Sequence, residues 1–439
     1  MARWLYSIIW YLAVPGLILH LLWKSRRLPA YRRHLGERLG RHPVRTGTRP
    51  LIWVHAVSVG ETRAAQPLIE ALLARRPDAD VLITHGTPTG RDTSAALFAD
   101  ARVRRAYLPW DCPGAIRRFL RAWRPSVGLL VETELWPNLV AQCRRRGVPL
   151  ALVNARLSER SCRKGERWAR LIVPALAGLD LVLAQSEDDA ARLARLGRSG
   201  VPVLGNLKFD VAPAPAQEAL GHQWRLDWLA CRRDRGQARA CVLAASTREG
   251  EEESILDAWH EALRARGWLS AAAVSPLLVV VPRHPQRFDA VAAAIAARGW
   301  RSMRRSRIAA GRICDAQVIL GDSMGEMAAW YALADVAIIG GSLLPLGGQN
   351  LIEACAAGVP VIVGPHTFNF ADATALAIEA DAAVRVADAA AAIDTALSIV
   401  TDAHRLQTMS DCALAFTARH RGATDRTLAA IEPLLPATV

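Results

Sequence analysis

The chain opens with an uninterrupted apolar run and then settles into a repeating alternation. From Trp4 to Trp23 there is no charged side chain, about the length a helix needs to cross a hydrocarbon core. Pro15 and Gly16 lie mid-run, which a membrane helix tolerates better than an exposed soluble one. Trp4, Tyr6, Trp10, Tyr11 and Trp23 gather toward its ends, as interfacial aromatics do. From residue 51 onward, short apolar runs of strand composition alternate with helical stretches. They fall at 51–57, 81–84, 104–108, 128–131, 150–154 and 181–184, then in a second series at 241–245, 277–282, 317–320, 336–339 and 359–363. A helix is expected over 62–76 despite Pro67. Short strands separated by helices predict parallel sheets covered on both faces. Residues 211–240 break the rhythm with Val-Ala-Pro-Ala-Pro-Ala and a polar, Arg-rich continuation, as an interdomain linker does.

The pattern therefore predicts an α/β chain in four parts. An anchor helix occupies residues 1–25, a Rossmann-like domain 26–210, a linker 211–240 and a second Rossmann-like domain 241–439. Two doubly wound sheets joined in this way are expected to face a cleft. No sequence repeat with a period of roughly 20–50 residues is visible, so the halves share architecture and not sequence.

Composition narrows the picture. The 439 residues are 51% hydrophobic and 22% charged, which fits globular cores and not a disordered chain. A net charge of +14 implies an anionic partner: nucleic acid, an anionic membrane surface or a phosphorylated substrate. Between Lys24 and Arg49 nine basic residues (Lys24, Arg26, Arg27, Arg32, Arg33, Arg38, Arg41, Arg45, Arg49) stand against one acidic residue, Glu37. Such a cluster holds the following chain on the cytoplasmic face and attracts anionic headgroups. It follows the apolar run with no small-x-small site between them, which argues against a cleaved signal peptide. A helix lying in the interface or packed on the protein stays open beside a spanning one. The eight cysteines (112, 143, 162, 231, 241, 314, 355 and 412) form no CxxC pair and no zinc spacing. They are expected to be reduced and structural in a cytosolic body.

Ligands of doubly wound sheets bind outside the carboxyl ends of the strands, so the residues following each apolar run carry the candidate chemistry. Ser58-Val59-Gly60-Glu61 follows the first run and precedes a helix. Glu61 has two open roles: a carboxylate complementing the helix dipole, or a general base. Glu132-Thr133-Glu134-Leu135-Trp136-Pro137-Asn138 sets two carboxylates at i and i+2 after an apolar run, costly to bury unless paired. They either pair with arginines or face a sugar. Asn154-Ala155-Arg156 and Gly205-Asn206-Leu207-Lys208-Phe209-Asp210 add polar groups, with Lys208 a candidate for binding an anion.

In the second half, Ala245-Ser246-Thr247-Arg248-Glu249-Gly250-Glu251 opens a helix and offers hydroxyls and amides to a phosphate. Arg283 of Pro282-Arg283-His284-Pro285 suits a bidentate grip on an anion. Met324-Gly325-Glu326 begins another helix. The densest block is Gly340-Gly341-Ser342, then Gly347-Gly348-Gln349-Asn350-Leu351-Ile352-Glu353, then Gly358-Val359-Pro360-Val361. Its glycines let backbone amides approach a phosphate, and Glu353 is placed to accept from ribose hydroxyls. Asp78-Ala79-Asp80 has the Asp-x-Asp form that holds a metal in many sugar transferases. It precedes a strand, so it is expected to be solvated loop. No other cluster has metal spacing, and no metal is expected.

Taken in order, these motifs resemble one family. His55-Ala56-Val57-Ser58-Val59-Gly60-Glu61, Thr87-Pro88-Thr89-Gly90, the 132–138 segment, Asn154-Ala155-Arg156-Leu157-Ser158, Leu207-Lys208-Phe209-Asp210, Val281-Pro282-Arg283-His284-Pro285, Gly364-Pro365-His366-Thr367-Phe368-Asn369-Phe370 and the glycine-rich block are similar to those of the 3-deoxy-D-manno-octulosonic acid (Kdo) transferases of lipopolysaccharide synthesis. The resemblance runs from about residue 30 to about residue 430. It implies a GT-B fold, CMP-Kdo as donor, the lipid A precursor (lipid IVA) as acceptor, and inversion at the anomeric carbon with no metal or other cofactor. It also implies an inner-membrane location with the catalytic domains on the cytoplasmic face.

Carried onto matching positions, Glu61 is the base, and Glu132 and Lys208 stabilise the transition state. Pro282, Arg283, Met324, Gly325, Glu326, Asn350, Leu351, Ile352 and Glu353 bind the CMP moiety. Arg248 and Gln349 stand where the family often has histidine, and Leu344-Pro345-Leu346 replaces a more polar stretch. Another GT-B enzyme using a different nucleotide sugar is the alternative. A non-catalytic membrane or nucleic-acid binder rests on charge alone; no nucleic-acid signature is present.

Overall fold

The computed structural model describes residues 1–439 except 27, 214, 231–239, 270–274, 308–315 and 438–439. It divides into two compact units, Met1–Val211 with His420–Val439, and Ala212–Arg419.

The first unit is built on six parallel strands: β1 (Leu51–His55), β2 (Asp80–His85), β3 (Val103–Tyr107), β4 (Val127–Val131), β5 (Leu150–Ala155) and β6 (Leu181–Ala184). Their order in the sheet is β3-β2-β1-β4-β5-β6. Strands β1, β4 and β5 are buried along their whole length, because helices cover both faces of such a sheet. Successive residues serve opposite cores. Leu51 and Trp53 pack with Phe119 and Leu152 on one face, while Ile52 and Val54 pack with Ile69, Leu72 and Val131 on the other. The sheet order reverses between β1 and β4, and that switch point is where ligands of such sheets bind.

Pro67 divides the single helix expected over 62–76 into two, Val59–Ala64 and Gln66–Arg75. The proline sits in the first turn of the second helix, where its missing N–H costs nothing.

Two boundaries differ from the sequence reading. Residues 420–439 belong to the first unit and not to the second domain. Helix Ala423–Ile431 sends Ala423, Leu428 and Ile431 into the core on one face of the first sheet. Asp210 secures its start by accepting from Gly422 N (2.7 Å) and Thr424 N (2.6 Å). The expected linker is also structured where it is described. Residues Pro215–Ala230 form a helix of the second unit, with Trp224 4.5 Å from Trp330 and Arg225 2.7 Å from Asp335. Gly221 faces Ala329 so closely that any Cβ would strike backbone. The remaining linker residues 231–239 lie outside the described residues.

Among the described residues, the second unit holds seven parallel strands, β7 (Cys241–Thr247), β8 (Leu277–Pro282), β9 (Ser302–Arg304), β10 (Val318–Leu320), β11 (Val336–Ile339), β12 (Val361–Val363) and β13 (Ala383–Arg385). Their order is β13-β12-β11-β7-β8-β10-β9. The edge strands β9 and β13 are additions to the expected set. Here the switch point lies between β7 and β11.

The amino-terminal helix spans Ala2–Lys24 and is, among the described residues, the one helix long and apolar enough to cross a membrane. It is also docked on the first unit. Ser7 Oγ donates to Asn138 Oδ1 (3.0 Å), the Tyr11 hydroxyl accepts from Gly114 N (2.9 Å), and Trp10 lies 5.8 Å from Trp136. Trp4, Leu12 and Leu19 remain exposed. The basic run behind it is not uniformly solvated. Arg38 is buried, with its guanidinium 4.1 Å over the Tyr107 ring, and Arg45 pairs with Asp80 at 2.7 Å. Arg27 lies outside the described residues, as do Cys231 and Cys314; the six described cysteines are free thiols.

Candidate active site

Four charged groups meet at the switch point of the first sheet. After β1, Ser58 caps helix Val59–Ala64 and forms a capping box with Glu61, as Ser-x-x-Glu before a helix should. Glu61 N donates to Ser58 Oγ (3.4 Å), and Glu61 Oε2 accepts from Ser58 N (3.1 Å) and from Val57 N. The capping role is therefore realised, but it does not exhaust the residue. Burial pushes the Glu61 carboxyl up to about 7, with the charges of Glu132 and Glu134 adding to it, against the Val57 hydrogen bond and His55. A carboxyl in this position exchanges its proton near neutral pH.

Glu132 follows β4 with φ of 63°, a conformation in which non-glycine residues are uncommon outside functional sites and turns. Its Oε1 lies 2.7 Å from Lys208 Nζ. Glu134 Oε2 accepts from Trp136 Nε1 (2.6 Å) and lies 3.7 Å from His55 Nε2. Both carboxylates thus have partners, as burial demands. Lys208 rides on the short turn Leu207–Asp210, held by Asn206 Oδ1 accepting from Lys208 N (3.0 Å) and by Asn154 Oδ1 accepting from Leu207 N (3.0 Å). Asn154, also at positive φ, is a positioning residue for that lysine turn. Asp111, which the sequence reading passed over, is buried and accepts from Asn138 N (2.9 Å) and Leu139 N (2.8 Å), fixing the end of the 132–138 segment. Burial pushes its carboxyl up to about 6 despite those bonds.

The second unit organises its switch point around a residue whose role the sequence did not reveal. Glu251 is 0% exposed. One carboxylate oxygen accepts from Arg248 N (2.9 Å) and Gly341 N (2.6 Å), the other from Leu343 N (3.0 Å). It thereby joins the loop after β7 to the glycine-rich loop after β11. Gly340 runs so close to Ser246 and Thr247 that a Cβ would strike backbone. Asn369 N donates to Gly347 O (2.9 Å) and Gly364 N to Ser342 Oγ (2.8 Å), tying in the loop after β12.

Positive charge gathers beside this framework. Arg283 N donates to Thr247 O (2.9 Å). His284 is held below its usual range by burial and by the neighbouring charges of Arg248 and Arg283. Met324 is exposed, Gly325 has φ of 84°, and Glu326 accepts from the Ser323 hydroxyl and pairs with Arg305 (2.9 Å). Asn350 Oδ1 accepts from Ile352 N (3.1 Å) while its Nδ2 donates to Glu353 Oε1 (2.9 Å), so one side chain closes the turn into a helix and aims a carboxylate. Of the other expected CMP-contacting residues, Leu351 (1% exposed), Ile352 (2% exposed) and Pro282 are buried.

Among the described residues, no group of three or more His, Cys, Asp or Glu is gathered as a metal site. Asp78 pairs with Arg76 (2.7 Å) and Asp80 with Arg45, at the amino-terminal end of β2.

Two doubly wound parallel units, each with its polar groups on strand-end loops and the second with a glycine-rich phosphate-type loop, define the GT-B class of nucleotide-sugar enzymes. Solved structures agree on the fold. UDP-GlcNAc 2-epimerase from Neisseria meningitidis bound to UDP-GlcNAc aligns with a TM-score of 0.57 over 88% of this chain and 100% of that one, at 12% identity. A glycosyltransferase from Rickettsia africae aligns with a TM-score of 0.56 over 88% and 99%, also at 12% identity. Sequence places the chain more finely. A family model for 3-deoxy-D-manno-octulosonic-acid transferase (kdotransferase) matches residues 33–211. A 3-deoxy-D-manno-octulosonic acid transferase from Bordetella pertussis is 50% identical over 388 residues, 88% of this chain and 87% of that one. One from Haemophilus influenzae is 33% identical over 447 residues, covering 100% of both. The chain belongs to the Kdo transferase family of glycosyltransferases.

Proposed function

We propose that the protein transfers Kdo from CMP-Kdo to a sugar hydroxyl of the lipid A precursor, lipid IVA, inverting the anomeric carbon without a bound metal or other cofactor. The observation that carries this reading is the Glu61 carboxyl, raised to about 7 beside Glu132, Glu134 and Lys208 at the switch point of the first sheet. Glu61 accepts the proton of the acceptor hydroxyl as its oxygen bonds to the anomeric carbon of Kdo. The bond from that carbon to the phosphate oxygen breaks, and CMP leaves with the electron pair. Glu132 faces the positive charge that develops on the sugar, and Lys208 holds it in place through their 2.7 Å ion pair. Arg248, Arg283 and the backbone amides of the glycine-rich loop receive the leaving phosphate, as fixed donors aimed at developing charge should. Glu353, aimed by Asn350, and Glu326 are placed for the nucleoside.

The amino-terminal helix anchors this machinery at the inner membrane, with both units on the cytoplasmic side. Because Ser7, Trp10 and Tyr11 are bound to the first unit, the helix lies along the interface with Trp4, Leu12 and Leu19 toward lipid. Exposed Lys24, Arg26, Arg33 and Arg41 meet anionic headgroups.

Transfer from CMP-Kdo, generated in situ, to detergent-solubilised tetraacylated precursor in the presence of EDTA tests the proposal. Mass spectrometry is expected to show product heavier by one or more Kdo units. No product from folded protein, or turnover of a UDP-sugar in its place, sinks the reading.

Lys208→Met tests the charge balance. The stem is kept, but Glu132 loses its cation and three carboxylates are left facing one another. We expect kcat/KM to fall by on the order of 10²-fold. The acid limb of its pH profile should also move to higher pH, since unrelieved negative charge favours protonated Glu61. A lower rate with an unmoved limb would leave Lys208 outside the field that sets Glu61.

A further inference from the structure

A cavity of about 480 Å³ opens in the first unit, between the amino-terminal helix and the segment 157–176. Leu5 and Ile9 of the amino-terminal helix form one wall, and Trp168, Leu171 and Ile172 form the other. Nearly all of the lining is apolar, and the volume sits within the roughly 300–1,000 Å³ of small-molecule sites. Leu5 is 58% and Trp168 60% exposed, so large apolar groups stand at the opening with nothing covering them.

The apolar lining is interrupted by polar and charged residues, among them Glu132 and Thr133, which begin the carboxylate segment after β4, and Arg156 and Lys164. An apolar cavity, two cationic side chains and the proposed catalytic carboxylate thus share one site. Its complement is an amphiphile with a hydrocarbon tail and an anionic head, held so that the head's negative groups meet Arg156 and Lys164 while its hydroxyl lies toward Glu132. The wall formed by the anchor helix gives such a molecule a route from the lipid phase.

We infer that this cavity receives one acyl chain of the acceptor lipid and so positions the head group's hydroxyl for transfer. The inference rests on the proposed acceptor and adds the subsite that recognises its lipid part. The cavity acts on substrate placement and not on the reacting atoms. Its loss should therefore appear in the preference for acylated acceptors.

Two measurements test it. The first compares tetraacylated precursor with the fully deacylated disaccharide bisphosphate. In the native protein, kcat/KM should favour the acylated acceptor by about tenfold or more, because apolar area is buried only with the chain present. In Ile172→Trp and in Ser161→Trp, which fill the cavity from its wall and from its surface-exposed edge, that ratio should fall toward about one. A ratio unchanged from native in both variants, or no preference in the native protein, overturns the inference. The second needs no catalysis: a lipid IVA analogue with a diazirine at an acyl terminus is photolysed with the full native chain in detergent. Adducts within residues 157–172 and on Leu5 or Ile9 support the subsite. Adducts confined to Trp4, Leu12 and Leu19 mean membrane contact only and overturn it. If native protein transfers no Kdo yet labels within 157–172, the proposed reaction falls and the lipid subsite stands.

Discussion

Glu61→Gln is expected to lower kcat/KM by roughly 10²–10⁴-fold, the range of a general base, while making the folded protein more stable above neutral pH. The two effects separate because glutamine keeps one of the residue's jobs and removes the other. An amide oxygen can still accept from Val57 N and Ser58 N, and Ser-x-x-Gln is as good a capping box as Ser-x-x-Glu. What disappears is the ionisable proton.

Burial raises the Glu61 carboxyl to about 7 in the folded chain, against about 4.3 for an unfolded glutamate. As pH rises through that window, the unfolded state releases its proton first. Native stability therefore declines between these values, and the full cost is present above about 7. The glutamine variant carries no such cost. Its melting temperature should match the native protein near pH 4 and exceed it at pH 8. In parallel, native kcat/KM should climb with pH along a limb with an apparent pKa near 7, and the variant should lack that limb. Full activity in Glu61→Gln removes Glu61 from proton transfer. A surviving limb assigns the titration to another group.

The central strands were legible because they are apolar along their whole length, and the polar residues that end them stand out by contrast. Ser58 and Glu61 announce a capping box by spacing alone. The same contrast fails at sheet edges. β9 is Ser-Met-Arg, too short and polar to register as a strand. It fails too for helix Ala423–Ile431, whose apolar face of Leu428 and Ile431 would look identical whichever sheet it covered. The proline-rich start of 211–240 reads as a break, yet Pro215 stands at the first position of a helix, where proline is favoured, and Trp224 commits that helix to a core. Consecutive motif positions blur in another way. Asn350 and Glu353 reach into the loop region, while Leu351 and Ile352 between them turn to the core, since helical geometry splits neighbours onto different faces.

Glu251 is the clearest case of a residue that pattern alone could not single out. It is one of three successive glutamates, Glu251-Glu252-Glu253, and both of the first two are 0% exposed. Glu252 packs against Thr247 Oγ1 (3.2 Å) and Arg287 (3.4 Å). Only Glu251 collects backbone amides from two loops. Glu251→Ala would leave the N–H groups of Arg248, Gly341 and Leu343 without their acceptor. A buried donor left unsatisfied costs about 1–3 kcal/mol, and the three share one acceptor, so their losses overlap. We expect a total of roughly 3–6 kcal/mol, read as earlier unfolding of the second unit in denaturant.

Glu251→Gln is the gentler version. One carbonyl oxygen can still serve Arg248 N and Gly341 N, but the amide NH₂ then meets the Leu343 N–H, donor against donor. That variant should fold and bind CMP about tenfold or more weakly by calorimetry, because a loop no longer held in place must be ordered on binding. The pH limb near 7 should stay where it is, because Glu61 belongs to the other unit. Native CMP affinity in Glu251→Gln would show that the glycine-rich loop holds its shape without this carboxylate. Weakened binding together with a shifted limb would mean that the substitution disturbs more than the donor loops.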